Sequence, residues 1–119
     1  MISDKYEIFG KGIRVITKRE LKYPNKNLIV PEKTELIVFF TKNDPSRMVF
    51  EYNGQTCAVK TVRAKETFAG GNFSAMPSMN RLEKMSNDGI VTTVTGKRVE
   101  PDGFAEDGSA SWLLVLGVI

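Results

Sequence analysis

The chain has 119 residues, of which 41% are hydrophobic and 26% charged. This length and balance suit one globular domain spanning residues 1–119 and exclude a disordered chain. The net charge of +3 allows an acidic partner without requiring one. With one cysteine and no histidine, an internal disulfide is impossible, and the commonest general base and metal ligand are missing.

The N-terminal sequence lacks the pattern of a signal peptide, which is a basic segment followed by an apolar one. The longest apolar run, residues 112–119, is much shorter than the about 20 residues that a membrane-spanning helix needs. The single cysteine also excludes a secreted disulfide scaffold. We therefore expect a cytoplasmic protein with no membrane partner.

A basic stretch, residues 11–26, contains six lysines or arginines and one acid, and so carries +5. Lysine and arginine neutralise phosphates, and aromatic rings stack on bases. The stretch is therefore a candidate nucleic-acid contact. The alternative is a solvated strand and loop whose charge only keeps the protein in solution. The candidate binding residues are Arg14, Lys18, Arg19, Lys22 and Tyr23.

Three segments of the first half predict β-strands. Residues 13–17 are β-branched, and residues 35–41 form a nearly continuous apolar run typical of a central strand. Residues 48–62 hold two β-prone runs around Asn53-Gly54, the preferred pair for a two-residue type I′ hairpin. That turn predicts a register with Met48, Phe50, Cys57 and Val59 on one buried face. It places Arg47, Glu51, Thr56 and Lys60 on the opposite, wet face.

The loop at residues 63–73 contains two phenylalanines that bracket two glycines, with two cations just before them. Exposed aromatics on a mobile loop are a common recognition element. The alternative is a crossover connection whose phenylalanines enter the core, since phenylalanine is mostly buried. The candidate binding residues of this loop are Arg63, Lys65, Phe68 and Phe73.

The second half predicts one short helix near residues 78–87. Ser78 caps it, Met79, Leu82 and Met85 form its apolar stripe, and Gly89 ends it. Residues 90–95 and 97–100 follow as strands. Residues 101–109 form an acidic loop whose Asp-Gly pairs are turn signals, and its carboxylate spacing does not fit a calcium loop.

Residues 111–119 predict an apolar closing strand, which could complete a sheet across a homodimer axis. Together, the segments predict a mainly β or α+β fold. We expect a small, partly open barrel or sandwich of about six or seven short strands with one short helix.

Residues 28–34 (Leu-Ile-Val-Pro-Glu-Lys-Thr), the strand at 35–40 and the hairpin at 47–62 together resemble an SH3-like small barrel of the KOW type. The chain departs from that pattern, because Glu32-Lys33 replaces the usual turn glycine before Thr34. Residues 76–119 are similar to small uncharacterised bacterial and phage proteins that end in a Ser-Trp-Leu-Leu-x-Leu-Gly segment. This second resemblance implies a mobile-element setting.

No residues form a convincing catalytic set. Cys57 has no histidine to deprotonate it, and no metal site or cofactor is predicted. We expect a non-catalytic binding protein, and the first hypothesis is a phage-type regulator or anti-defence inhibitor that binds a host protein. The alternative is a nucleic-acid-binding small β-barrel that uses residues 11–26.

Overall fold

A computed structural model describes residues 2–119 of the chain, and β-strands dominate it. Short 3₁₀ turns at Pro24–Lys26 and Thr61–Arg63 connect some of the elements. The strands are β1 (Ile8–Thr17), β2 (Leu21–Tyr23), β3 (Leu28–Val30), β4 (Glu35–Thr41), β5 (Arg47–Tyr52), β6 (Gln55–Lys60), β7 (Phe68–Ala69), β8 (Val91–Thr92) and β9 (Arg98–Val99). The helices are α1 (Ala64–Thr67), α2 (Met79–Asp88) and α3 (Trp112–Val115).

The main sheet is a curled half-barrel of five strands in the order β6-β5-β4-β1-β7. Every neighbouring pair in it is antiparallel. Two small antiparallel sheets, β2-β3 and β8-β9, complete the set. The predicted fold class, a mainly β and partly open barrel, is confirmed. Residues 2–119 contain nine strands instead of the expected six or seven. Three of the nine, β7, β8 and β9, have only two residues each.

The β5–β6 hairpin has the predicted turn and register. Asn53 and Gly54 adopt positive φ angles of 51° and 75°, as a type I′ turn requires. Phe50 pairs with Cys57, and both are fully buried. On the opposite face Val49 is also fully buried. The N-terminal segment crosses this side of the hairpin, where the Ser3 amide donates to Thr56 Oγ1 at 2.7 Å.

Helix α2 begins and ends as predicted. The Ser78 hydroxyl accepts from the Arg81 amide at 3.2 Å, and Gly89 ends the helix in the left-handed region. Leu82 is buried and Met85 packs against the core. Met79 is 75% exposed, so the predicted apolar stripe covers less of the helix than expected.

The prediction of a closing strand at residues 111–119 is wrong. Ser111 Oγ accepts from the Leu114 amide at 3.2 Å and caps α3, so the segment turns into the core as a short helix. Trp112 is fully buried there. A short apolar run fits a buried helix as well as a strand, and here the capping serine favours the helix. The predicted homodimer through a C-terminal strand therefore loses its structural basis.

The buried side chains form one cluster between the concave side of the main sheet and the C-terminal segments. Phe50 and Phe68 meet edge to face in it, with ring centroids 6.4 Å apart. Val91 and Trp112 belong to the same cluster. No helix within residues 2–119 is long and apolar enough to span a membrane.

Candidate functional site

The two phenylalanines predicted to be displayed for binding lie in the core. Phe68 is 2% exposed and Phe73 is 8% exposed. Their rings lie 6.4 Å apart, and Phe68 also contacts Phe50. The prediction that they form an exposed recognition element is wrong, because residues 63–73 include a short helix and β7, which turn both rings inward.

Three of the predicted cations lie outside the two clefts described next. Arg14 lies on the outer face of β1, with its guanidinium 3.7 Å from the Glu35 carboxylate. The Lys18 ammonium donates to the Lys65 carbonyl at 2.8 Å, which holds the residues before β2 against the start of α1. Arg14, Lys18 and Lys65 therefore line neither of the two clefts described next.

Four of the predicted residues do come together. They line a shallow cleft of about 340 Å³ between the β2 segment, the end of β6 and the 3₁₀ turn that follows it. Lys60 contributes another cation to the same cleft, and Glu20 contributes an acid. The predicted residues that share this cleft are Arg19, Lys22, Tyr23 and Arg63.

A larger cleft of about 500 Å³ lies next to the first, and we call it the tyrosine cleft. It is lined by the N-terminal segment, by the end of β2 with its 3₁₀ turn, and by residues of β5 and β6. Within residues 2–119, no aspartate or glutamate lines it. Its charged and aromatic lining residues are Lys5, Tyr6, Lys22, Tyr23, Lys26 and Arg47.

The two clefts share Lys22, Tyr23 and Ala58, so they form one continuous surface. Four cations line each cleft and Lys22 lines both, which gives seven on this surface. We call the seven the basic strip. Its members are Lys5, Arg19, Lys22, Lys26, Arg47, Lys60 and Arg63.

Tyr23 lies at the middle of this surface and is held firmly. Its hydroxyl donates to the Ala58 carbonyl of β6 at 3.0 Å, and its ring packs edge to face on Phe50 with centroids 6.4 Å apart. Burial, and secondarily the nearby Cys57, raises the pKa of Tyr23 well above its ordinary value. The hydroxyl therefore stays a protonated donor, and the ring keeps a fixed orientation.

The cations of the basic strip are only weakly neutralised. Three of them face acids at 3.4–3.7 Å: Lys22 faces Glu20, Arg47 faces Asp44 and Arg63 faces Glu66. All three pairs are solvent-exposed, and exposed pairs contribute about 0–1 kcal/mol each. In the part of the chain that the structure describes, Lys5, Lys26 and Lys60 make no ion pair. An anion can therefore engage the strip at little cost.

Sequence reasoning missed the contributions of Lys5 and Arg47 to this surface. Lys5 and Tyr6 lie outside the basic stretch and reach the cleft only because the N-terminal segment crosses β5 and β6. The one available signal was in the hairpin register, which pairs Arg47 directly with Lys60. Like charges placed opposite each other destabilise a sheet, and Asp44, which faces Arg47 at 3.4 Å, offsets only part of this repulsion.

The side chains that line this surface are suited to binding, and Cys57 does not lie among them. Cys57 lies on the inner side of the hairpin, and burial raises the pKa of its thiol despite the opposing attraction of Lys26. The thiol is therefore protonated and enclosed, so it is a poor nucleophile. Among residues 2–119, no group of three or more cysteine, aspartate or glutamate side chains is placed to hold a metal ion.

No protein-family model, curated protein or solved structure matches this chain. The resemblances to an SH3-like barrel and to small phage proteins therefore stay predictions.

Proposed function

We propose that this protein binds single-stranded nucleic acid along the basic strip and catalyses no reaction. The observation that carries the proposal is the convergence of seven cations, from segments far apart in the sequence, around two tyrosines on one continuous surface. Glu20 is the only acid that lines this surface within residues 2–119, and it already faces Lys22.

The charge pattern favours an extended polyanion over a small anion. The cations lie along two adjoining clefts instead of surrounding one point. The Arg47–Lys60 pair in the β5–β6 register is relieved when a phosphate lies between or beside the two side chains. Each neutralised phosphate also releases condensed counterions, which is the main source of affinity in such complexes.

The tyrosines favour a single strand over a duplex. Unpaired bases expose flat faces that stack on aromatic side chains, and each such stack contributes about 1–3 kcal/mol. Tyr23 is fixed by its hydrogen bond to Ala58, and Tyr6 lines the same cleft. A cleft of about 500 Å³ has room for a base.

Binding to a host protein, as a phage-type regulator or inhibitor, stays a prediction from the sequence, as does a cytoplasmic location. The aromatic loop on which the protein-binding hypothesis partly depended is buried at Phe68 and Phe73. Because these two rings are buried, we prefer nucleic-acid binding to protein binding as the proposed function.

The test compares two charge reversals on the same fold. Fluorescence anisotropy with a labelled single-stranded oligonucleotide of about 15 nucleotides measures the affinity at low salt. Lys26→Glu removes an unpaired cation from the tyrosine cleft, and we expect the affinity to fall on the order of tenfold, because one phosphate contact becomes a repulsion.

Lys33→Glu is the matched control, because Lys33 is exposed and lines neither cleft. It changes the net charge by the same amount, and we expect at most a twofold change in affinity. The proposal fails if the wild-type protein forms no complex at low salt. It also fails if the two charge reversals weaken binding equally, since the effect would then be one of net charge alone.

A further inference from the structure

A second groove lies between α2 and the small β8-β9 sheet, and it shares no residue with the basic strip. Its volume is about 680 Å³. Three cations line it, Arg81 and Lys84 from α2 and Arg98 from β9, against one acid, Asp88. Within residues 2–119, none of the three cations makes an ion pair.

The lining of this groove differs from that of the tyrosine cleft. Among residues 2–119, no aromatic side chain lines it, and its apolar part is made by Met85 and Ile90. Ile90 is 46% exposed, and Met85 packs against the core while also facing the groove. An aliphatic and thioether surface has no flat ring for stacking a base. It adapts readily to the side chains of a peptide.

We propose that this groove binds an acidic peptide segment of a partner protein, with one large apolar side chain seated on Met85 and Ile90. The carboxylates on either side of that side chain would face Arg81, Lys84 and Arg98. The three cations complement the charge of such a peptide. Protein interfaces commonly combine an apolar core with a charged or polar rim. This proposal does not depend on nucleic-acid binding at the basic strip.

Local contacts define the position of the helix that lines the groove. Helix α2 is capped at Ser78 and ended by Gly89, so Arg81 and Lys84 stand one turn apart on a defined helix face. The Thr92 hydroxyl donates to Met85 Sδ at 3.7 Å and ties the helix to β8. A peptide that enters the groove therefore meets a preformed site, which reduces the ordering cost of binding.

The test selects ligands from a bead-displayed library of randomised peptides of about 12 residues and then measures the enriched peptides by fluorescence anisotropy. We expect the enriched sequences to carry several acids around one large apolar residue. Arg81→Glu and Arg98→Glu should each weaken their binding on the order of tenfold, and Ile90→Ser should weaken it without any change of charge.

Lys33→Glu and Lys26→Glu serve as controls and should leave peptide binding unchanged. Loss of binding in Lys26→Glu would place the peptide on the basic strip and overturn the proposal. Backbone ¹H–¹⁵N spectra establish that each variant is folded, which is expected because all five substituted side chains are exposed. Enriched peptides without acids, or binding that survives both arginine substitutions, would also overturn it. So would a single-stranded oligonucleotide that shifts the amide signals of the groove, since the groove would then belong to the nucleic-acid surface.

Discussion

Asp107 is the most heavily hydrogen-bonded carboxylate among the described residues. One of its oxygens accepts from Thr95 Oγ1 at 2.5 Å, and the other accepts from the amide and hydroxyl of Ser109 at 2.9 and 2.5 Å. Burial by itself would raise the pKa of Asp107. The hydrogen bonds from Ser109 and Thr95, with the attraction of Lys97, reverse that effect and lower it. The sequence indicated only an Asp-Gly turn here, because Thr95 reaches Asp107 from a different segment of the chain.

Because the pKa of Asp107 is lowered, the free energy of unfolding depends on pH in the acidic range. A depressed carboxyl pKa stabilises the native state above the ordinary value of 3.8, and that contribution is lost as the pH falls through the lower native value. We expect Asp107→Asn to lower the free energy of unfolding at pH 7 by about 1–2 kcal/mol, as loss of charged hydrogen bonds does. It should also flatten the loss of stability between about pH 5 and pH 2.

Urea denaturation at several pH values measures this effect. The control is Glu106→Gln, which removes the neighbouring exposed carboxylate and should change stability by less than about 0.5 kcal/mol. Equal losses in the two variants would show that the hydroxyl network around Asp107 contributes nothing specific.

At the scale of elements, β1 and the acidic loop meet at two glycines. The register of β1 against β4 shifts between Phe9 and Ile13, and Gly10 lies in this bulge with a φ of +89°. A Cβ at Gly10 would lie 2.2 Å from the Asp107 carbonyl oxygen, and one at Gly108 would lie 2.1 Å from the Phe9 carbonyl oxygen. The two backbones can approach this closely only without side chains.

This crossing predicts a difference between two glycine substitutions. Gly10→Ala combines the left-handed strain with a backbone clash, and we expect it to cost roughly 3 kcal/mol or more of unfolding free energy. Gly54→Ala has a similar φ of +75° but nothing within 4 Å of its Cβ, so only the strain of about 1–2 kcal/mol remains. Chemical denaturation of both variants measures the difference. Similar losses in the two variants would contradict the close approach of the two backbones at Gly10.

Local signals explain which elements could be predicted. Asn53-Gly54 determines a turn by itself, and Ser78 with Gly89 determines the two ends of α2, so these elements were predicted with the correct bounds or register. Residues 90–95 were predicted as one strand, yet the strand itself covers only Val91–Thr92, with a single bridge from Thr93 to Ser111, because a turn at 93–96 follows at once. The final apolar run could not be assigned locally, since its helical form depends on the core that receives Trp112.

At the scale of the whole molecule, the sequence predicted about half of the candidate surface. Arg19, Lys22, Tyr23 and Arg63 were predicted as binding residues and share one cleft. Lys26 belongs to the predicted basic stretch, and Arg47 and Lys60 share the predicted wet face of the hairpin, but Lys5 reaches the surface only through tertiary contacts such as the Ser3–Thr56 bond. The basic stretch also includes Arg14 and Lys18. Their side chains contact Glu35 and the Lys65 carbonyl, outside the two clefts.

The proposed function requires the basic strip to contact several phosphates of one strand. The most direct measurement is the dependence of the binding constant for a single-stranded oligonucleotide on salt concentration. Four or five contacts predict a slope of about −3 in a plot of log K against log salt concentration. Lys26→Glu should bring that slope about 0.7 closer to zero, and Lys33→Glu should leave it unchanged. A wild-type slope between 0 and about −1, or no binding at low salt, would contradict the claim.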